Sequence, residues 1–173
     1  MTNFNYPQKV AALGRFLEAH GEFLVRQGLT ITVAGTGIAW KTFRERHGAH
    51  AEFPGFVRDV AGLYAQHDVF VHFSDLDAFP YAVLEAQAAG LPVLVNRACG
   101  MLEQVEDGVD GYILDLENGA SVEQRLLELR DSVASRAEIG GRARQKVERL
   151  YSLTAIGHGL EAVLRQRFPV SAR

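Results

Sequence analysis

Apolar residues recur near the start of the chain at Val10, Leu13, Leu17 and Leu24, the three-and-four spacing that gives a helix one apolar stripe. Pro7 suits a first turn and Gly28 a stop, so the pattern predicts a helix from Pro7 to Gln27. The period then changes. Leu29 to Ala34 is a short β-branched run ending in Gly35-Thr36-Gly37, which reads as a buried strand entering a tight loop. The alternation continues with a helix from Trp40 to His47, a strand from Ala51 to Phe53, a helix from Asp59 to Gln66 and a strand from Val69 to Phe73. Next come a helix from Pro80 to Gly90, a strand from Pro92 to Asn96, a helical turn from Leu102 to Glu106 and a strand from Tyr112 to Leu114. Helical stretches from Val122 to Val133, Arg136 to Leu150 and Thr154 to Arg167 close the chain. Strands alternating with helices predict an α/β fold, a single doubly wound parallel sheet with helices on both faces. Ligands of such sheets sit beyond the carboxyl ends of the strands.

Composition narrows the function. At 173 residues the chain has the size of one domain, and 47% hydrophobic with 23% charged residues is the balance of an ordinary globular protein. A net charge of -3 leaves no footprint for a nucleic-acid backbone, so any bound anion must be held locally. One cysteine, Cys99, excludes an internal disulfide framework and a multi-thiolate metal site and suits a reducing compartment, so a cytoplasmic location is expected. Cys99 itself, with no evident base, reads as a small apolar residue. The N-terminus has no basic segment ahead of an apolar run, and no stretch reaches the roughly 18 apolar residues of a membrane span. His47 and His50 are close together but in a polar loop, while His20, His67, His72 and His158 are scattered, so no metal site is predicted.

The run Phe79 to Val95, FPYAVLEAQAAGLPVLV, is apolar on nearly every side and predicts a helix and strand buried in the middle of the fold. Glu85 is out of place in it. Buried, its carboxylate would need a charged partner or hydrogen-bond donors such as ligand hydroxyls; the plainer reading is that it reaches solvent or a core arginine. Upstream, Ser74-Asp75-Leu76-Asp77-Ala78-Phe79 leaves a strand end and Pro80 starts a helix. That brings a helix N-terminus, with free N–H groups near Tyr81 and Ala82, to the ligand side of the sheet, where it would hold a phosphate. By residue type, Asp77 is more commonly a capping or loop carboxylate and Asp75 a solvated loop charge.

These residues also carry a resemblance. DVFVHFSDLDAFPYAVLEAQAAGLPVLV, from Asp68 to Val95, resembles without gaps the donor-site signature of glycosyltransferase family four, the group 1 retaining enzymes of GT-B fold. The signature's E-x7-E acidic pair falls on Asp77 and Glu85. ITVAGTG, from Ile31 to Gly37, is similar to the family's strand ending in G-x-G, and Phe53-Pro54-Gly55-Phe56-Val57 to its F-x-G-F-V loop. The stretch from Cys99 to Gly111 resembles GGxxEvvedGxnG.

The resemblance implies a half of the GT-B architecture, residues 1–173 as the nucleotide-sugar donor-binding domain, and the family's transfer of a sugar from a UDP- or GDP-sugar to an acceptor with retained configuration. It implies that Glu85 bonds ribose hydroxyls and that Asp77 addresses the donor sugar. Backbone groups at Phe79, Pro80, Tyr81 and Ala82 would contact the sugar and distal phosphate. Phe56 and Val57 would lie against the base, and Gly35 and Gly37 would face the diphosphate. No cofactor and no obligatory metal are implied.

Three departures from the family matter. Asp77 is one methylene shorter than the family's glutamate. The basic pair of GR-x-S-x-x-K-G is replaced by Thr2-Asn3-Phe4-Asn5-Tyr6-Pro7-Gln8-Lys9, similar to a variant GNFNYPPN. Lys9 is then the candidate phosphate cation, although a solvated lysine on the first helical turn is the preferred reading by residue type. Arg58, Lys41 and Arg97 are further nearby cations. Finally, the family's N-terminal domain, which would hold a glycan or lipid-linked acceptor, has no counterpart in the sequence. Neither does the first strand of the donor domain, unless residues 1–5 form a remnant of it. The isolated chain is therefore expected to be inactive.

A binding module or partner subunit working with a separate acceptor-binding chain fits the same signature. A nicotinamide-dependent dehydrogenase fits less well, because Gly35-Thr36-Gly37-Ile38-Ala39-Trp40 puts tryptophan where a small residue is required.

Overall fold

The computed structural model describes residues 2–98 and 100–168. Six strands alternate with helices: β1 (Thr2–Asn3), α1 (Pro7–Arg26), β2 (Thr32–Thr36), α2 (Trp40–His47), β3 (Glu52–Gly55), α3 (Val60–Ala65), β4 (Phe70–His72), α4 (Tyr81–Ala88), β5 (Val93–Asn96), α5 (Met101–Gln104) and β6 (Gly111–Leu114). Helices α6 (Gly119–Asp131), α7 (Val133–Leu150) and α8 (Leu153–Arg167) follow. The expected parallel α/β architecture is present, its ladder bonded in two three-stranded sets, β1-β2-β3 and β4-β5-β6, with every pair parallel.

Local chemistry sets the limits of α1. Pro7 lies in its first turn, and past Gln27 the chain turns at Gly28, φ 66°. There the Gly28 N–H donates to the Val25 carbonyl at 3.1 Å and the Leu29 N–H to the Leu24 carbonyl at 2.9 Å, the paired bonds of a Schellman motif. Strand β2 accordingly starts at Thr32, later than the apolar run beginning at Leu29.

Side chains alternate across the strands, so the sheet has an apolar layer on each face. Leu94 and Tyr112 pack with Phe16 and Leu17 of α1 and Leu129 of α6, while Val93 and Val95 pack with Val83 and Ala86 of α4 and Met101 of α5. Strand β1 brings the chain to the sheet: Thr2 pairs with Gly35 and Asn3 with Thr36, which makes residues 2–3 a short parallel strand ahead of α1. Helix α8 differs from the rest, with no buried residue and with Leu153, Ile156 and Leu160 exposed.

Candidate functional site

The β4–α4 loop is tied down at three points. The Ser74 N–H donates to Asn96 Oδ1 at 2.9 Å and Asn96 Nδ2 donates to the Ser74 carbonyl at 3.1 Å, clamping the end of β4 to the end of β5. Arg15 of α1 donates twice to Asp75, at 2.8 and 2.9 Å, so the residue read as a solvated loop charge is a paired one. Asp77 receives Lys9 Nζ at 2.5 Å on one oxygen and His72 Nε2 at 3.0 Å on the other. Burial pushes the Asp77 carboxyl up, but hydrogen bonds from His72 and Lys9 and their charge outweigh it and bring it down to about 2. An ionised carboxylate only accepts, so His72 carries its proton on Nε2. Lys9 is therefore not free in solvent but held in an ion pair, with its side chain one third exposed (34%).

Helix α4 begins at Tyr81, with Pro80 as its N-cap residue (φ -68°, ψ 115°), one position later than expected. No side chain caps it, and the N–H groups of Tyr81 and Ala82 have no carbonyl four residues back within the helix. Gln104 Nε2 holds the Pro80 carbonyl at 3.1 Å. Behind it lies a buried network: Gln87 Nε2 and Lys146 Nζ both donate to the Gln104 carbonyl, at 3.2 and 2.5 Å, and Lys146 also pairs with Asp110 at 2.5 Å. Asp110 in turn accepts the Glu106 N–H at 3.0 Å, which fixes the turn before β6. The start of α4 is thus braced by side chains that contribute nothing to its own open end.

Glu85 does not lie in an apolar interior. Helix α4 is buried at Val83, Ala86 and Gln87, but Tyr81 and Glu85, one turn apart, share an exposed face. The Tyr64 hydroxyl, on α3, donates to Glu85 Oε2 at 3.2 Å. Burial, then the Glu85 charge and this bond, push the Tyr64 hydroxyl up, so it stays protonated and keeps its donor role.

The two glycines expected in a loop belong to packing more than to an open face, and Gly35 lies within β2, paired with Thr2. Gly35 is buried, and a Cβ there would lie 2.1 Å from the Thr2 carbonyl oxygen, so the space expected for a ligand is taken by β1. Gly37, φ 144°, lies under the β1–α1 turn, where a Cβ would meet the Asn5 backbone nitrogen at 2.6 Å. The close approach joins the two loops. Asn5 Oδ1 accepts the Ile38 N–H at 3.1 Å, and the Ala39 N–H donates to the Phe4 carbonyl at 3.1 Å.

Phe56 is exposed (60%) and Val57 half-buried, both just past the carboxyl end of β3. Phe79 packs against Tyr151 with ring centroids 5.9 Å apart. Arg58 and Arg97 are exposed, and Lys41 pairs with Glu45 on the surface of α2. His47 is buried against Phe43, and His20 against Phe16 with Glu123 at 3.1 Å. Cys99 lies outside the described residues. His72 and Tyr64 are the two site residues that sequence reasoning missed. His72 stands five residues before Asp77 at the last position of β4, a spacing that could have marked it; for Tyr64 the sequence holds no such signal.

Known proteins share this sequence pattern and fold. A family described as glycosyl transferases group 1 matches residues 2–132. The chain is 34% identical over 119 residues to spore coat protein SA of Bacillus subtilis (strain 168), a match covering 66% of this chain and 31% of that protein. It is 33% identical over 93 residues to a GDP-mannose-dependent alpha-mannosyltransferase of Corynebacterium glutamicum, covering 53% of this chain and 22% of that one. The chain thus spans a third or less of these curated relatives. Among solved structures, HepE of Anabaena in complex with UDP superimposes with a TM-score of 0.77 at 20% identity, over 95% of this chain and 48% of that one, a likeness of fold. No helix among the described residues is long and apolar enough to cross a membrane.

Proposed function

The chain belongs to the group 1 glycosyl transferases, and from that premise we propose that residues 1–173 are the nucleotide-sugar donor-binding half of such an enzyme. The observation that carries the reading is the pair Asp77 and Glu85 flanking the uncapped start of α4, with Lys9 and His72 converging on Asp77. The similar structure of HepE holds UDP and a relative is named for GDP-mannose, which supports a UDP- or GDP-sugar as donor.

The geometry supports the following chemistry. The bond between the anomeric carbon and the distal phosphate oxygen breaks, an acceptor hydroxyl oxygen takes its place, and the hydroxyl proton passes to the departing diphosphate oxygen. The departing diphosphate gains negative charge, which the positive end of α4, the N–H groups of Tyr81 and Ala82, and Lys9 meet in this reading. Glu85 turns its exposed carboxylate toward ribose hydroxyls, braced by Tyr64. Asp77, fixed by two donors, addresses the sugar hydroxyls. Phe56 and Val57 offer an apolar wall to the base. Gly35 and Gly37 act at one remove, by letting β1 and the turn that leads into α1, which carries Lys9, lie against β2 and the loop after it. Retention of anomeric configuration and a cytoplasmic setting complete the reading.

Acceptor positioning contributes roughly 7–11 kcal/mol to such reactions and needs a second wall to the cleft, so the chain alone is proposed to bind donor without efficient transfer. Calorimetric titration with UDP, GDP, their sugars and NAD tests the donor site. Binding of NAD with no response to any nucleoside diphosphate would overturn it. Radiolabelled transfer by the chain alone, against the chain mixed with a separately expressed acceptor domain, tests the division of labour.

A further inference from the structure

Helix α5 is four residues long, yet it meets the β4–α4 loop at both of its ends. At Gly100, just ahead of it, the two backbones touch: a Cβ would lie 1.3 Å from the Ala78 carbonyl oxygen and 3.4 Å from the Phe79 nitrogen, which leaves room for glycine alone. At the other end Gln104 Nε2 donates to the Pro80 carbonyl at 3.1 Å. Gln104 is itself anchored, because its own carbonyl receives Gln87 Nε2 at 3.2 Å and Lys146 Nζ at 2.5 Å.

The carbonyl held in this way sets how α4 begins. It also accepts the Val83 N–H at 3.1 Å, so both of its lone pairs go to donors inside the fold. The peptide unit joining Pro80 to Tyr81 is planar and trans, and its C=O and N–H point in opposite directions. Fixing the carbonyl from the interior therefore fixes the Tyr81 N–H outward, and burial agrees, with Pro80 buried and Tyr81 exposed. Stability does not account for Gln104. The side chain is fully buried, and its Oε1 has no hydrogen-bond partner among the described residues. A side chain of the same shape without the amide would remove that buried oxygen and still leave the Pro80 carbonyl bonded to Val83.

We propose that Gln104 is a positioning residue: from behind the loop it aims the Tyr81 N–H at the phosphate of a bound nucleoside diphosphate. The inference rests on the donor reading and adds to it a residue away from the exposed Tyr81–Glu85 face. Gln104 touches no ligand. It acts through one rigid peptide plane, so its effect falls on the phosphate and not on the nucleoside.

The test compares Gln104→Met with Gln87→Met. Gln87 is equally buried, also has an unpartnered Oε1 and belongs to the same network, but its amide bonds go to the Gln104 carbonyl and Asp110. UDP and uridine, or GDP and guanosine if the wild type prefers them, are titrated into each variant by calorimetry, and urea midpoints are measured alongside. Gln104→Met is expected to weaken the diphosphate about tenfold, with nucleoside affinity and the urea midpoint held. Gln87→Met should leave both affinities as in the wild type. Unchanged diphosphate affinity in Gln104→Met would overturn the proposal. So would equal losses for diphosphate and nucleoside, or an equal loss in Gln87→Met, because each of these marks a merely structural residue. A measurement on the wild type needs no variant to fold: the diphosphate, and not the nucleoside, should move the Tyr81 amide proton downfield in the NMR spectrum, and an unmoved amide would refute the aim. Failure of the donor reading looks different, since the wild type would then bind neither UDP nor GDP and both proposals would fall together.

Discussion

Lys9 Nζ lies 2.5 Å from Asp77 Oδ1, joining the first turn of α1 to the β4–α4 loop across 68 residues of sequence. On the proposed reading the same cation also serves a phosphate. Lys9→Ala should therefore do two things. The Asp77 carboxyl, left with His72 alone, should move up toward its ordinary range, as read by NMR titration of the side chain. Affinity for UDP should fall by roughly 1.5–3 kcal/mol, the worth of a hydrogen bond to a charged group, as read by calorimetry. A shifted Asp77 with unchanged UDP affinity would limit Lys9 to holding Asp77.

Asp77→Ala should separate sugar from nucleotide. The free diphosphate is expected to bind nearly as well as to the wild type, because Lys9 and the α4 terminus remain. Discrimination among nucleotide sugars should weaken or vanish in competition assays. Equal losses for UDP and UDP-sugars would contradict this division.

Glu85→Gln keeps the shape of the side chain and removes its charge. If the carboxylate bonds ribose, nucleoside diphosphate binding weakens by roughly 1.5–3 kcal/mol. Tyr64→Phe removes only the bracing bond and should cost less, roughly 0.5–1.5 kcal/mol. Calorimetry on both variants checks the order, and an unaffected Glu85→Gln would rule out the ribose role.

Acid should weaken the fold through Asp77. Its pKa falls from 3.8 to about 2 on folding, because the bonds from His72 and Lys9 outweigh burial, so the folded chain binds fewer protons than the unfolded one. The stabilisation is fully present above about pH 4 and is lost as pH falls through about 2. With solvent screening at the partly exposed Lys9, it amounts to about 1–2 kcal/mol. Urea midpoints measured between pH 7 and 2 should show a shallower acid slope for Asp77→Asn than for wild type; parallel curves would show that the cluster contributes nothing.

Lys146 and Asp110 are both largely buried, 2.5 Å apart, with Gln104 and Gln87 around them. Lys146→Met leaves Asp110 charged and unpaired, at a cost of roughly 3–5 kcal/mol in denaturant unfolding. Lys146→Met combined with Asp110→Leu should recover a large part of that loss, since the uncompensated charge is gone. No recovery would mean that the bonds to Gln104 and Glu106 matter more than the pair.

Much of this protein is determined within short stretches of its sequence. The stripe Val10, Leu13, Leu17 and Leu24, Pro7 ahead of it and Gly28 after it delimit α1, because helix period, a fixed φ and a positive φ are properties of a few neighbouring residues. The alternation of strand and helix gave the parallel α/β class for the same reason, and the spacing of Asp77 and Glu85 within one loop and helix marked the candidate site. What each of those carboxylates meets was decided only by the tertiary structure. The β4–α4 loop lies where α1 can reach it, so Asp77 finds Lys9; α4 turns its Tyr81–Glu85 face outward and toward α3, so Glu85 is exposed and finds Tyr64, 21 residues earlier. Gly35, legible as a loop glycine, is buried under Thr2 for a similar reason: the register of β1 on β2 exists only once the strands pair. Periodicity depends on the chain's own geometry over a few residues, whereas ion pairs and register depend on how distant segments pack, and no local pattern encodes that.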